Sequence, residues 1–194
     1  MSFGRTRLSE AWSEKSPRRI GRSLPDQIWK KIPEPKNIAE IGLDGDLAKR
    51  LLQYWPNASY RGFDVNEKIV QQQSLVALAP FRGRAFAARI DGSCELPLPN
   101  QSQDFLICSQ ILEFLRMDQF YMHCSEARRV IRAGGHWLLA CTEKEKGLAG
   151  LWQKYFSSER QMDLNHFISP EDWEILCEEK SGGLQILLLR RLAS

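Results

Sequence analysis

From residue 25 onward the chain alternates short apolar runs with amphipathic helical stretches, and this alternation narrows the fold more than any other feature. IAEIG (38–42) is an apolar run ending in glycine. DLAKRLLQYW (46–55) follows, with Leu47, Leu51 and Leu52 at helical spacing and Pro56 and Asn57 closing it. SYRGFD (59–64) reads as a strand ending on an acid, and NEKIVQQQSLVAL (66–78) as a helix capped by Asn66. RAFAARI (84–90) and DFLICS (104–109) are further strands, the second apolar throughout, as a strand buried on both faces must be. Asp118 opens a helix running to about Arg132, on which Phe120, Cys124, Ala127 and Ile131 form one stripe. AGG (133–135) stops that helix before the strand HWLLACT (136–142). Strands alternating with helices imply a parallel sheet with right-handed crossovers.

The C-terminal part is less regular. GLAGLWQKYF (147–156) has helical spacing despite its glycines. SPEDWEILCEEK (169–180) carries strong helix-start signals: Ser169 to cap, Pro170 in the first turn, then Glu171 and Asp172. LQILLLRRL (184–192) is a last strand. The expected organisation is a basic, partly flexible arm over residues 1–24 and a single domain over 25–194.

At 194 residues, 43% hydrophobic and 26% charged, the chain has the makeup of one globular domain with a well-buried core. A net charge of +3 does not by itself argue for nucleic acid. The charge is uneven, however. Residues 1–36 hold nine basic side chains (Arg5, Arg7, Lys15, Arg18, Arg19, Arg22, Lys30, Lys31, Lys36) against four acids (Glu10, Glu14, Asp26, Glu34). Nucleic acid held by that arm is the less favoured partner, a solvated terminus the more favoured reading. The five cysteines lie far apart without a C-x-x-C pair, and the three histidines are scattered, so no metal site is expected. No apolar stretch approaches the ~20 residues of a membrane span. The N-terminus lacks an apolar signal region, so the expectation is a reduced, cytoplasmic protein away from membranes.

In a parallel sheet of this kind ligands bind outside the carboxyl ends of the strands, where strand order reverses. Those ends are Gly42, Asp64, Asp91 and Ser109. A glycine turn opening a helix lets backbone N–H groups approach a ligand closely. An acid about twenty residues later suits two ribose hydroxyls, and Asp64 lies nineteen residues after Gly45. Asp91 could accept from an exocyclic amine such as adenine's. Together these describe an adenosine ligand. Asp44 and Asp46 stand where a dinucleotide's pyrophosphate would lie, which argues against a nicotinamide cofactor. Neither a G-x-x-x-x-G-K-[ST] nor a Y-x-x-x-K motif is present. S-adenosylmethionine carries a sulfonium and an ammonium but no phosphate, so acids around its methionine end are compatible.

At these motifs the sequence resembles the class I S-adenosylmethionine-dependent methyltransferases, especially the methyltransferase type 11 group, over about residues 25–145. The family opens as E-I-G-C-G-D-G-x-L-A. This chain reads Glu40-Ile41-Gly42-Leu43-Asp44-Gly45-Asp46-Leu47-Ala48, which aligns once the family's middle glycine is deleted. YRGFDVNEKIVQQ is similar to G-x-D-x-S-x-x-x-x-x-x-A. RIDGSCELPLPNQSQDFLICSQILEFL is similar to G-D-A-x-x-L-P-F-P-D-x-S-F-D-x-V-x-S-x-x-x-L-E-H. EARRVIRAGGHWLLACTE is similar to E-x-x-R-V-L-K-P-G-G-x-L. The resemblance implies a three-layer α/β Rossmann-like sheet, mostly parallel, with an antiparallel C-terminal strand. One strand is expected to be reduced or missing, since the tail shows only one clear strand where the family ends in a pair. It implies S-adenosyl-L-methionine as cofactor. Glu40, Gly42, Leu43, Asp44 and Gly45 would then surround the methionine part, and Asp64 and Val65 the ribose. Asp91 and Gly92 would lie at the adenine, and Ser109 and Gln110 beside the sulfonium.

Some positions depart from the family pattern: the first loop is one glycine short, Gln110 and Phe114 stand where histidines are common, and Ala133 replaces a proline. Asp44 is balanced between capping the next helix and touching the ammonium. Glu113 reads as support for the local backbone, His123 as a surface or lid residue, His136 as the start of a buried strand away from the site, and His166 less readily as a substrate contact. Trp12, Trp152, Tyr155 and Phe156 read equally as a substrate wall or as packing. No catalytic residue is assigned, because methyl transfer from a sulfonium needs alignment above all, and a base only if the acceptor must lose a proton. The expected function is therefore a methyltransferase acting on a small or medium-sized acceptor, as monomer or homodimer. The alternative is a binding or regulatory protein on a degenerate methyltransferase fold that has lost its cofactor.

Overall fold

Strand β4 (Gln103–Ser109) is buried at all seven positions and forms the middle of a seven-stranded sheet. A computed structural model of the chain describes residues 24–91, 95–109, 111, 117–142, 168–181 and 184–193. Before β4 come helix α1 (Asp26–Trp29), β1 (Asn37–Ile41), α2 (Gly45–Tyr54), β2 (Ser59–Asp64), α3 (Glu67–Gln72) and β3 (Ala85–Arg89). Helix α3 runs on through a π turn, Gln73–Ala77, and a 3₁₀ turn, Ala79–Phe81. After β4 come α4 (Met117–Val130), β5 (Ile131–Thr142), β6 (Trp173–Ser181) and β7 (Leu184–Arg191).

The sheet order is β3-β2-β1-β4-β5-β7-β6. Strands β3, β2, β1, β4 and β5 pair in parallel, while β7 runs antiparallel to both β5 and β6. The mostly parallel sheet with an antiparallel C-terminal strand thus matches the expected class. Strand order reverses between β1 and β4, and there the carboxyl ends of two parallel neighbours diverge into separate loops.

Side-chain alternation sorts the strands onto two cores. Ile38, Phe105, Ile107, Leu138 and Leu188 face α1 and α2. Ala39, Leu106, Cys108, Trp137 and Leu189 face α4 and the β3–β4 connection. Helix α2 shows the local logic. Asp44 accepts hydrogen bonds from the amides of Asp46 and Leu47 and so caps its start, while Leu47, Ala48, Leu51 and Leu52 are buried along one face. Each buried leucine stabilises the fold by roughly 1.5–3 kcal/mol. On the other side of the sheet the Leu96–Asn100 stretch is pinned to α4. Glu126 accepts from the Leu96 amide at 2.6 Å, and Arg129 donates to the carbonyls of Leu98 and Leu96.

Two expectations are corrected. Residues 169–180 do not form a helix: Trp173–Ser181 is strand β6, so the C-terminal pair is complete and no strand is missing. The start signals act over a single turn only, in which the Glu171 amide donates to Ser169 Oγ at 3.2 Å and the Trp173 amide to Ser169 O at 2.9 Å. Beyond it, tertiary contact overrides helix propensity. Trp173 lies against Trp137 with ring centroids 5.2 Å apart, and β6 supplies backbone partners to the outer edge of β7. The helix expected to reach Arg132 ends at Val130, because Ile131 already pairs with Gln103 of β4. The proposed helix 147–156 lies outside the described residues, as do all but the last residue of the arm.

Candidate functional site

The loop after β1 is tied to both neighbouring strands. The Gly42 amide donates to Phe63 O of β2 at 2.9 Å, and Gly42 O accepts from Ser109 Oγ of β4 at 2.9 Å. Gly42 sits at φ +82°, where side chains are rarely tolerated. A Cβ there would also lie 2.6 Å from Ser109 O and 2.8 Å from Ile111 Cγ2. The glycine is needed because the β4 tip comes so close.

The next residues turn inward. Leu43 is buried, its side chain lying over Gly62, where a Cβ would come within 2.0 Å of it. Its amide donates to Asp64 Oδ2 at 3.2 Å. The Asp44 amide donates to Glu40 Oε1 at 2.9 Å, while the Asp44 side chain caps α2, so capping is the role the geometry gives it. Gly45 opens α2 facing the π turn, and a Cβ on it would meet Gln73 Oε1 at 1.9 Å and Ala77 Cβ at 2.7 Å.

Asp64 ends β2, with only 2% of its surface exposed. Oδ1 accepts from the Asn66 amide at 2.8 Å and Oδ2 from Leu43. Burial raises its carboxyl above the ordinary value, against the amides of Asn66, Leu43 and Val65, which pull the other way. Glu40 is fully buried, and Tyr60 donates its hydroxyl to Oε2 at 2.5 Å. Its pKa is well above normal, first through burial and then through the charges of Asp44 and Asp64. The charges acting on Glu40 are thus those of acids. Val65 is buried behind Asp64, and its carbonyl accepts from Arg89 at 3.3 Å. Asp91 is exposed just past Ile90, whose amide donates to Asp64 O at 2.9 Å.

The pairs Glu40–Asp44, Gly42–Ser109 and Leu43–Asp64 are therefore hydrogen-bonded at one rim of the sheet, with Asp91 at the next strand tip. Gly92, Gln110, Glu113, His166 and the aromatic residues Trp12, Trp152, Tyr155 and Phe156 lie outside the described residues. His123 is not on the surface or a lid as expected but buried, its Nε2 2.9 Å from Cys108 Sγ in the α4-side core. His136 is buried toward the other end of β4, paired with Phe105 just after the register shift between β4 and β5. Tyr60, Gln73 and Ile111 were not anticipated. Tyr60 alone left a signal, sharing the period-two face of Gly62 and Asp64 along SYRGFD.

Among the described residues no group of His, Cys, Asp or Glu could hold a metal ion, and no helix is long and apolar enough to cross a membrane.

A parallel sheet with its glycine turn at the reversal point and an antiparallel seventh strand defines a class I methyltransferase fold. The chain belongs to the methyltransferase-domain family, whose model matches residues 40–139. Among solved structures it is similar to a SAM dependent methyltransferase from Aquifex aeolicus (12% identity, 98% of this chain and 100% of that one, TM-score 0.65). It is similar to a SAM-dependent methyltransferase from Methanosarcina mazei (16% identity, 88% and 99%, TM-score 0.64). It is also similar to the [4+2]-cyclase SpnF (14% identity, 93% and 86%, TM-score 0.65). At such identities the likeness is one of fold. No curated protein matches the chain in sequence.

Proposed function

We propose that the chain is an S-adenosylmethionine-dependent methyltransferase that transfers a methyl group to a small or medium-sized acceptor. The observation that carries this reading is the cluster of the acids Glu40, Asp44 and Asp64 at the switch point, held there by the loop after β1 through the Asp44 and Leu43 amides. Such a rim favours a ligand bearing positive charge and disfavours a diphosphate, and S-adenosylmethionine meets both conditions. The cofactor supplies a methyl group already activated on sulfonium.

This chain's residues would do the holding. Asp64 accepts backbone amides on both oxygens, and a carboxylate has about four acceptor positions in all. The remaining positions would take the ribose hydroxyls, with Val65 behind them. Asp91 and Gly92 would receive the adenine. Glu40, Gly42, Leu43 and Gly45 would surround the methionine part, with Asp44 holding the helix start beside it. Ser109 and Gln110 would border the sulfonium. The acceptor would lie beyond that border, where positioning and exclusion of water contribute most of the rate.

Calorimetry with S-adenosylmethionine and S-adenosylhomocysteine tests the assignment. Both should bind, and Asp64→Asn should weaken each by roughly 1–3 kcal/mol, the range for a hydrogen bond to a charged group. Specific observations favour a second reading, a binding protein on a closed methyltransferase fold. Asp64 is 2% exposed, and Ile111 packs against Gly42. Absence of binding to the folded protein at millimolar ligand would select that reading instead.

A further inference from the structure

Among the described residues strand β3 is one outer edge of the sheet, and the side it turns away from β2 has a defined chemistry. The Tyr60 amide donates to Arg84 O and the Ile90 amide to Asp64 O, so the even-numbered residues of β3 turn their backbone groups toward β2. In a parallel ladder the odd-numbered residues, Ala85, Ala87 and Arg89, then direct their N–H and C=O groups outward. Exposed edges of this kind template further pairing unless something blunts them. On β3 no proline or bulge does so: AFAAR pairs in unbroken register from Tyr60↔Ala85 to Asp64↔Arg89.

Both sides of this edge are apolar. Ala85 and Ala87 face the α1–α2 core, so Phe86 and Ala88 point to the opposite face of the sheet, and Phe86 is 58% exposed there. On the helix side the π turn borders β3, and its Leu75 and Val76 are 71% and 63% exposed. Large apolar groups flanking a free edge on both faces suit an incoming strand whose alternate side chains pack upward and downward.

The charge around the edge is mainly basic. From residue 67 to residue 91 the chain holds Lys68, Arg82, Arg84 and Arg89 against Glu67 and Asp91. Arg61, paired with Phe86 across β2 and β3, is exposed on the same face as that ring. Two copies meeting edge to edge here would bring these arginines together, which disfavours a symmetric dimer.

We propose that the outer edge of β3 docks an extended, acidic segment of a partner protein as an added strand. Backbone pairing to Ala85, Ala87 and Arg89 would set its register, Phe86 and the Leu75–Val76 pair would take its apolar side chains, and Arg61, Arg82 and Arg89 would select its acids. The edge lies on the sheet's flank, so this docking does not depend on the ligand held at the strand tips.

A random displayed peptide library, selected on the whole protein and counter-selected on Ala87→Pro, tests the idea. The substitution removes one outward N–H without breaking a bond to β2, and edge strands tolerate proline, so the variant should fold. Peptides with alternating apolar and acidic residues should be recovered. Their affinity should fall at least about tenfold when ionic strength rises from about 0.05 to about 0.5 M, and also on Arg82→Glu or Phe86→Glu. Selection that returns no peptide sensitive to Ala87→Pro, or returns basic ones, overturns the proposal. So does self-association of the protein that Ala87→Pro abolishes, since the occupant would then be a second copy.

Discussion

Single residues in this protein show how much of a local signal depends on what lies opposite it. Gly42 and Gly83 both adopt positive φ, at +82° and +95°, but a Cβ on Gly83 would meet nothing within 4 Å. Alanine at Gly83 should therefore cost only the backbone strain, about 1 kcal/mol, whereas Gly42→Ala adds the clash with Ser109 O and should cost about 2–3 kcal/mol. Urea unfolding of the two variants side by side separates strain from contact, and equal losses would refute the close approach of β4. A second residue-scale effect sits in the core. Trp137 Nε1 donates to Cys108 Sγ at 3.2 Å, and Cys108 Sγ lies 2.9 Å from His123 Nε2. A neutral imidazole accepting the thiol proton satisfies all three groups. Burial lowers the His123 pKa to about 4, against the opposing charge of Glu126. Burial, with Arg190 and Arg132, does the same to His136. The unfolded chain takes up these protons near the ordinary value of 6.5 and the folded chain only near 4, so stability should fall as pH drops through that window and stay flat above it. Each histidine accounts for on the order of 3 kcal/mol over the full window. Glu40, with its raised pKa, works in the opposite direction. The measurement is therefore comparative: His123→Gln should flatten the fall in melting temperature between pH 6.5 and 4 relative to the parent, and an unchanged slope would mean that His123 titrates normally.

At the scale of elements, the strands and helices with a clear period were legible and one strongly signalled element was not. β2, β4 and α2 were found to within a residue because their apolar spacing matches the faces they bury. Segment 169–180 misled because Ser169, Pro170, Glu171 and Asp172 specify a helix start, but only the first turn obeys them. What decides the rest is non-local: the partner strand β7, reached across a turn, and Trp137 on β5, reached across the sheet. The first lies just beyond the segment, but Trp137 falls outside any local window of sequence. If that contact selects strand over helix, Trp173→Ala should cost more than an exposed substitution such as Ile175→Ala on the same strand. A loss of about 3–5 kcal/mol is expected for the buried, 4% exposed tryptophan, against under about 0.5 kcal/mol for the 60% exposed isoleucine. Chemical denaturation of both variants measures this, and far-ultraviolet dichroism shows whether the alanine variant shifts toward helix.

For the molecule as a whole, the site is made by distance rather than by motif. Glycine spacing, the acid at the end of β2 and the order of four motifs are readable in the chain, since each is local. The sequence did not reveal that Leu43 folds inward over Gly62, that Tyr60 reaches Glu40, or that Asp64 spends its oxygens on the loop, since those contacts join strands twenty residues apart. The same network would make binding of a ligand at this rim depend on three strands, because the loop after β1 is bonded to β2 and β4 at once. A ligand seated there would brace three strands, and the unfolded chain has no such site to bind it. At about one hundred times its dissociation constant such a ligand adds ~2.7 kcal/mol to stability. For a domain of this size each kcal/mol moves the melting temperature by about 2–4 °C. S-adenosylmethionine and S-adenosylhomocysteine should therefore raise it by about 5–10 °C at saturation. ATP, which brings the same adenosine with a phosphate chain, should leave it unmoved, since Asp44 and Asp46 stand at the turn. The comparison weighs charge against shape. A shift from ATP equal to that from S-adenosylmethionine would show a pocket reading adenosine alone, and the acidic rim would then have no part in choosing the ligand.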